Sequence, residues 1–117
     1  MIKKPAEIVQ EAKSVVSGVS AEAAREQRDA TPHTLVIDVR EPSEVAASAV
    51  PGALNIPRGV LEMQVGQVVP EHDAPVLVCC ASGGRAALAA RSLQDMGYTN
   101  VKVIDCSHQE IVEAFGS

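Results

Sequence analysis

Three short apolar runs constrain what this chain can fold into: residues 34–39 (TLVIDV), 75–80 (PVLVCC) and 101–105 (VKVID). The first two are apolar almost without interruption rather than at alternate positions. That is the pattern of strands covered on both faces, and it points to a mainly parallel sheet with helices on each side. Residues 53–56 (ALNI) make a weaker fourth strand. Residues 5–16 read as an amphipathic helix, with Pro5 in the first turn and Ile8, Ala12, Val15 and Val16 on one face; Ser17-Gly18 ends it. A second helix follows Ser20, a good N-cap, with Glu22 in its positive first turn, and runs to about Arg28. A short helix over 42–48 is opened by Glu41-Pro42. A stronger one over 85–96 buries Ala86, Ala89, Ala90, Leu93 and Met96, and Gly97 closes it in a left-handed conformation. The fold class is α/β, in one domain.

At 117 residues the chain can bury one sizeable core. With one Tyr, one Phe and no Trp, that core is aliphatic. A net charge of −5 argues against nucleic acid and against an anionic membrane, since both require a basic face; a small anion needs only a local positive site. The start, MIKKPAEIVQEAK, has no apolar stretch of signal-peptide length, and no later window approaches a spanning helix, so a cytoplasmic protein is expected. Three cysteines without an export signal do not make a disulfide framework; their role is chemical, metal-binding or simply to fill the core.

The segment VLVCC-ASGG-RAALAARSLQDMG runs from a strand through a tight loop into a helix. Successive N–H groups of such a loop, with the unpaired N–H groups of the helix's first turn, converge on one point and favour an anion there. Gly83 and Gly84 let the backbone curl. A cysteine at the mouth supplies its own sulfur as that anion, and the helix N-terminus and Arg85 stabilise the thiolate, the nucleophilic form. Free cysteines are more often inert core residues, but the strand-end position before this loop favours chemistry. Cys79 and Cys80 point to opposite sides of a strand, so only one serves. Five residues separate Cys79 from Arg85, enough to wrap a tetrahedral phosphate; four separate Cys80 from it, a smaller ring.

The segment Cys80-Ala-Ser-Gly-Gly-Arg-Ala-Ala-Leu-Ala-Ala90 resembles the active-site loop and following helix of the rhodanese family in its single-domain form. Val36-Ile-Asp-Val-Arg-Glu-Pro42, Val50-Pro-Gly-Ala-Leu-Asn-Ile-Pro-Arg-Gly59 and Gly97-Tyr-Thr-Asn-Val101 resemble further motifs of that family, in order. The resemblance implies a three-layer α/β/α domain over 20–117, preceded by a helical extension over 1–19. It implies Cys80 as nucleophile, with the backbone amides of Ala81, Ser82, Gly83, Gly84 and Arg85 cradling a transferred sulfur. The implied reaction takes a sulfane sulfur from thiosulfate or a persulfide donor, holds it as a cysteine persulfide and passes it to cyanide or a thiol. No cofactor and no metal is expected. The chain departs from the family in having Ser48-Ala49-Val50 where Gly-His-Ile is usual, Cys106-Ser107 where Gly-Gly is usual, and no tryptophan in the last helix.

Arg58 is a second cation for a thiosulfate dianion, against its ordinary reading as a solvated side chain. Asp38 and Arg40 share one side of their strand, and a structural ion pair or loop brace at the strand end is favoured over direct catalysis. Ser82 is placed either to hydrogen-bond a persulfide or to bond its own backbone. Cys106 ends the last strand; the alternatives are a resolving thiol for Cys80 and a small residue at a strand end, the second favoured. A metal site from Cys79, Cys80, Cys106 and His108 is disfavoured by the opposed neighbours. Rival functions are a cysteine-dependent phosphatase or arsenate reductase, a dinucleotide module using Asp105, and a non-catalytic interaction domain.

Overall fold

In the computed structural model, which describes residues 1–116, five strands form one sheet: β1 (Ser17–Val19), β2 (Leu35–Asp38), β3 (Leu54–Asn55), β4 (Val76–Cys79) and β5 (Val101–Ile104). Every pairing is parallel, and the order is β1-β5-β4-β2-β3. The apolar run of β4 occupies the centre, and all four of its residues are buried. A strand with apolar side chains on both faces is stable only where both faces are covered, and here they are.

Six helices do the covering: α1 (Pro5–Val15), α2 (Ala21–Ala30), α3 (Pro42–Ala47), α4 (Leu61–Val68), α5 (Gly84–Asp95) and α6 (His108–Phe115). Val76, Val78 and Cys80 pack with Val103 beneath Leu61 and Val65 of α4 and Ala89 and Leu93 of α5. Leu77 and Cys79 point the other way, against Ala24 of α2 and Ile111 and Phe115 of α6. The architecture is therefore the three-layer α/β/α sandwich expected, with a wholly parallel sheet. Leu93 is fully buried, and covering such a side chain contributes roughly 1.5–3 kcal/mol.

The stop after α5 is as expected. Gly97 has φ +109°, its N–H donates to Gln94 O at 3.0 Å and the Tyr98 N–H donates to Leu93 O at 3.0 Å, the paired bonds of a Schellman motif. Two elements differ from expectation. Ser17-Gly18 does not simply end the first helix; with Val19 it forms the edge strand β1, in register with Lys102, Val103 and Ile104. Pairing with β5 supplies hydrogen bonds that no local propensity would have indicated. The sequence does not show the helix α4, since Gly66 and two valines weaken its pattern; burial of Leu61 and Val65 holds it. The α1 helix lies against α5, and the Val9 side chain stands 3.7 Å from where a side chain on Gly84 would begin. Among the described residues no helix is long and apolar enough to cross a membrane.

Candidate active site

The two adjacent cysteines at the end of β4 have different surroundings. Cys79 is fully buried on the α2/α6 face; burial pushes its thiol up, and the Asp38 carboxylate adds to that. Cys80 belongs to the α4/α5 face and is 2% exposed. Its Sγ accepts the Gly83 N–H at 3.0 Å and the Ala86 N–H at 3.3 Å. Two main-chain donors on one sulfur, at the N-terminus of a 12-residue helix, stabilise negative charge there. The expected cradle ran from Ala81 to Arg85. Gly83 lies within it, and Ala86 lies one residue beyond.

Local sequence explains the curl. Gly83 is the N-cap of α5 with φ +99°, a conformation that turns its N–H back toward the strand end. A Cβ at that position would lie 2.6 Å from Asp105 Oδ1, so any larger residue must also move that exposed carboxylate or shift the loop. Asp105 is held in turn by Lys13 of α1, Nζ to Oδ1 at 3.3 Å. Ser82 is exposed at the crest of the loop, and Ala81 is half-buried.

Each arginine near the loop carries a carboxylate. Arg85 donates through Nη1 to Glu44 Oε1 at 2.7 Å and through Nη2 to Oε2 at 3.0 Å. Glu44 also accepts the Glu41 N–H at 2.9 Å. The Arg85 hydrogen bonds, then that backbone N–H, hold the Glu44 carboxyl down to about 2 against an ordinary 4.5. Arg58 is fixed at the same sheet edge by its N–H to Val39 O, and its Nη1 donates to both oxygens of Glu62, at 3.2 and 2.9 Å. Glu62 accepts the Ser92 hydroxyl as well, at 2.6 Å. The pairing of Asp38 with Arg40 is structural, as expected: both are buried, Arg40 Nη2 reaches Asp38 Oδ2 at 2.8 Å, and the same nitrogen donates to Ser48 O at 2.7 Å. Asn55 braces this corner by donating to the carbonyls of Asp38 and Arg40.

Glu44 is not singled out in the sequence; its signal is the spacing Glu41-Pro-Ser-Glu44, a capping box at the start of α3. His108 figures in the sequence only as a member of the disfavoured metal site, and the fold gives it other contacts. The capping box Ser107-His-Gln-Glu110 opens α6, which sets the His108 N–H on Ala81 O at 2.9 Å and its Nε2 against Ser48 Oγ at 2.9 Å. A histidine thus reaches Ser48 from the last helix, although none stands directly before Val50 in sequence. Cys106 packs with Cys79 on the α2/α6 face, the side of the sheet away from Cys80; burial raises its thiol, with Glu110 adding. A cleft of about 880 Å³ between α2 and α6 and one of about 520 Å³ at the opposite sheet edge contain none of the loop residues.

Comparison with known proteins places the family and the fold. A sulfurtransferase of Allochromatium vinosum is 28% identical over 87 residues, which is 74% of this chain and 79% of that protein. The chain spans 53% and 64% of the next two curated relatives it matches. Among solved structures, a Rhodopseudomonas palustris protein of unknown function described as a possible tyrosine phosphatase superposes with TM-score 0.86 at 25% identity, covering 97% of this chain and 92% of that one. The polysulfide-sulfur transferase homodimer of Wolinella succinogenes superposes with TM-score 0.78 at 27% identity, covering 92% of this chain and 80% of that one. The Rhodanese-like domain family matches residues 20–114, which take in the sheet from β2 onward and the whole Cys80 loop, and the chain belongs to that family.

Proposed function

We propose that the chain is a sulfurtransferase in which Cys80 carries the sulfur. The observation that supports this reading most directly is the pair of N–H donors, Gly83 and Ala86, on Cys80 Sγ. They favour the thiolate as nucleophile and the persulfide anion as intermediate. With thiosulfate as donor, the thiolate attacks the outer sulfur, the S–S bond breaks, sulfite leaves with its electron pair, and Cys80–S–S⁻ remains. Cyanide then attacks the outer persulfide sulfur and departs as thiocyanate, returning the thiolate. A thiol acceptor takes the same sulfur to become a persulfide, its proton passing to the product. In this reading the N–H groups of Ala81, Ser82, Gly84 and Arg85 would join that of Gly83 in receiving the added sulfur. The guanidinium groups of Arg85 and Arg58 are the cations a sulfonate would recruit.

The phosphatase reading, which the description of the Rhodopseudomonas palustris protein raises, fits less well. Cys79, with the phosphatase spacing to Arg85, faces the other side of the sheet and is fully buried. Cys80 has the narrower ring. The test is thiocyanate formation from thiosulfate and cyanide, with hydrolysis of an aryl phosphate as the rival assay. Parallel double-reciprocal lines, loss of activity in Cys80→Ser and no phosphate release support the proposal. Phosphate release that depends on either cysteine, without thiocyanate formation, refutes it.

A further inference from the structure

The loop that receives the sulfur is short of free positive charge. Arg85, the cation belonging to the loop, is bound by both Glu44 oxygens in a fork that satisfies two of its N–H groups. Glu44 is itself fixed by the Glu41 N–H at the start of α3, so it does not swing away freely. Arg58 is neutralised by Glu62, which Ser92 anchors. Lys13 is committed to Asp105, which lies against Gly83. Among the described residues, every cation placed at this corner of the sheet therefore faces a carboxylate.

Thiosulfate brings two negative charges, and attack by a thiolate gathers three in the transition state. Its sulfonate would approach an Arg85 whose charge is already met by Glu44, and would sit beside that carboxylate. A persulfide donor R–S–S–H avoids that conflict. The Cys80 thiolate attacks its outer sulfur, the S–S bond breaks, R–S⁻ leaves, and Cys80–S–S–H is formed with a single negative charge throughout. The two main-chain donors on Sγ suffice for one charge.

Building on the sulfurtransferase reading, we propose that Glu44 is a specificity-determining residue: by occupying Arg85 it disfavours dianionic thiosulfate and makes a low-charge persulfide the preferred sulfur donor.

The test measures the rate of sulfur loading on Cys80 by quenched intact mass. Two donors are compared, thiosulfate and 2-hydroxyethyl persulfide generated from bis(2-hydroxyethyl) disulfide and sulfide, with Cys80→Ser as the background. The wild-type chain loads from the persulfide at least tenfold faster. In Glu44→Gln the ratio of the thiosulfate rate to the persulfide rate rises by about tenfold, since a full negative charge beside the sulfonate is gone. Equal or faster loading from thiosulfate in the wild type overturns the proposal, and so does an unchanged ratio in a folded Glu44→Gln. If that variant does not fold, the wild-type comparison alone decides. Loading from neither donor is a distinct result: it removes the sulfurtransferase reading, and this inference goes with it.

Discussion

Gly83 and Gly97 are a matched pair that separates backbone strain from damage to the loop. Both have strongly positive φ, +99° and +109°, and a Cβ on Gly97 would meet nothing within 4 Å. Alanine at either position takes on a left-handed strain of about 1–3 kcal/mol, reduced by about 0.4–1 kcal/mol because alanine restricts the unfolded chain. The net cost, about 1–2 kcal/mol, lowers Tm by roughly 4–8 °C in a domain of this size. At Gly83 there is a further effect: the new Cβ would lie 2.6 Å from Asp105 Oδ1. Either the carboxylate, 45% exposed and paired with Lys13, swings outward, or the loop shifts. The first response adds little to the stability loss, since an exposed ion pair is worth under about 1 kcal/mol. The second draws the Gly83 N–H off Cys80 Sγ, and losing a donor of that kind costs roughly 10²-fold in rate. Gly83→Ala and Gly97→Ala are thus expected to melt within a few degrees of each other, while only Gly83→Ala loses sulfur loading. Thermal unfolding by circular dichroism and quenched mass spectrometry read the two quantities. Loading by Gly83→Ala within twofold of wild type, or equal loss of loading in Gly97→Ala, would show that the Gly83 N–H does not support the Cys80 sulfur.

Cys80→Ser is expected to abolish thiocyanate formation and Cys79→Ser to retain most of it; a steady-state assay checks this, and the reverse pattern would move the nucleophile to the other sheet face. Arg40→Ala strips a buried carboxylate of its partner and should destabilise by about 3–5 kcal/mol in urea unfolding, well beyond any exposed ion pair. The Glu44 carboxyl lies lower in the folded chain than its ordinary 4.5, so its stabilising effect is complete above that value and is lost as pH falls through about 2. The Tm difference between wild type and Glu44→Gln should accordingly be largest near neutrality, shrink below about pH 4.5 and vanish near pH 2; a difference constant over that range would contradict the pairing with Arg85.

The core of this fold was legible because local signals agreed with global ones. The run VLVCC is apolar on both faces, and it is the central strand; Gly83 and Gly97 bracket α5, and both are left-handed. Asp38 ends β2 and Arg40 follows two residues on, so their pairing could be read by counting. The unforeseen features depend on partners distant in sequence. Val19 and its neighbours become a strand only beside β5. Glu44 meets Arg85 across 41 positions, Ser48 meets His108 across 60, and Lys13 meets Asp105 across 92. The chemistry of Cys80 was visible in its loop, whereas the charge that surrounds it was set by tertiary contacts. That is why Arg85 read as a free cation in sequence and is a paired one in the fold.

Whether Cys80 carries the transferred sulfur is read by intact mass with peptide mapping after exposure to a sulfane-sulfur donor. A gain of about 32 Da is expected on the peptide containing Cys80, discharged by cyanide and lost in Cys80→Ser. A gain that survives in Cys80→Ser, or no gain from either thiosulfate or a persulfide, would contradict Cys80 as the carrier.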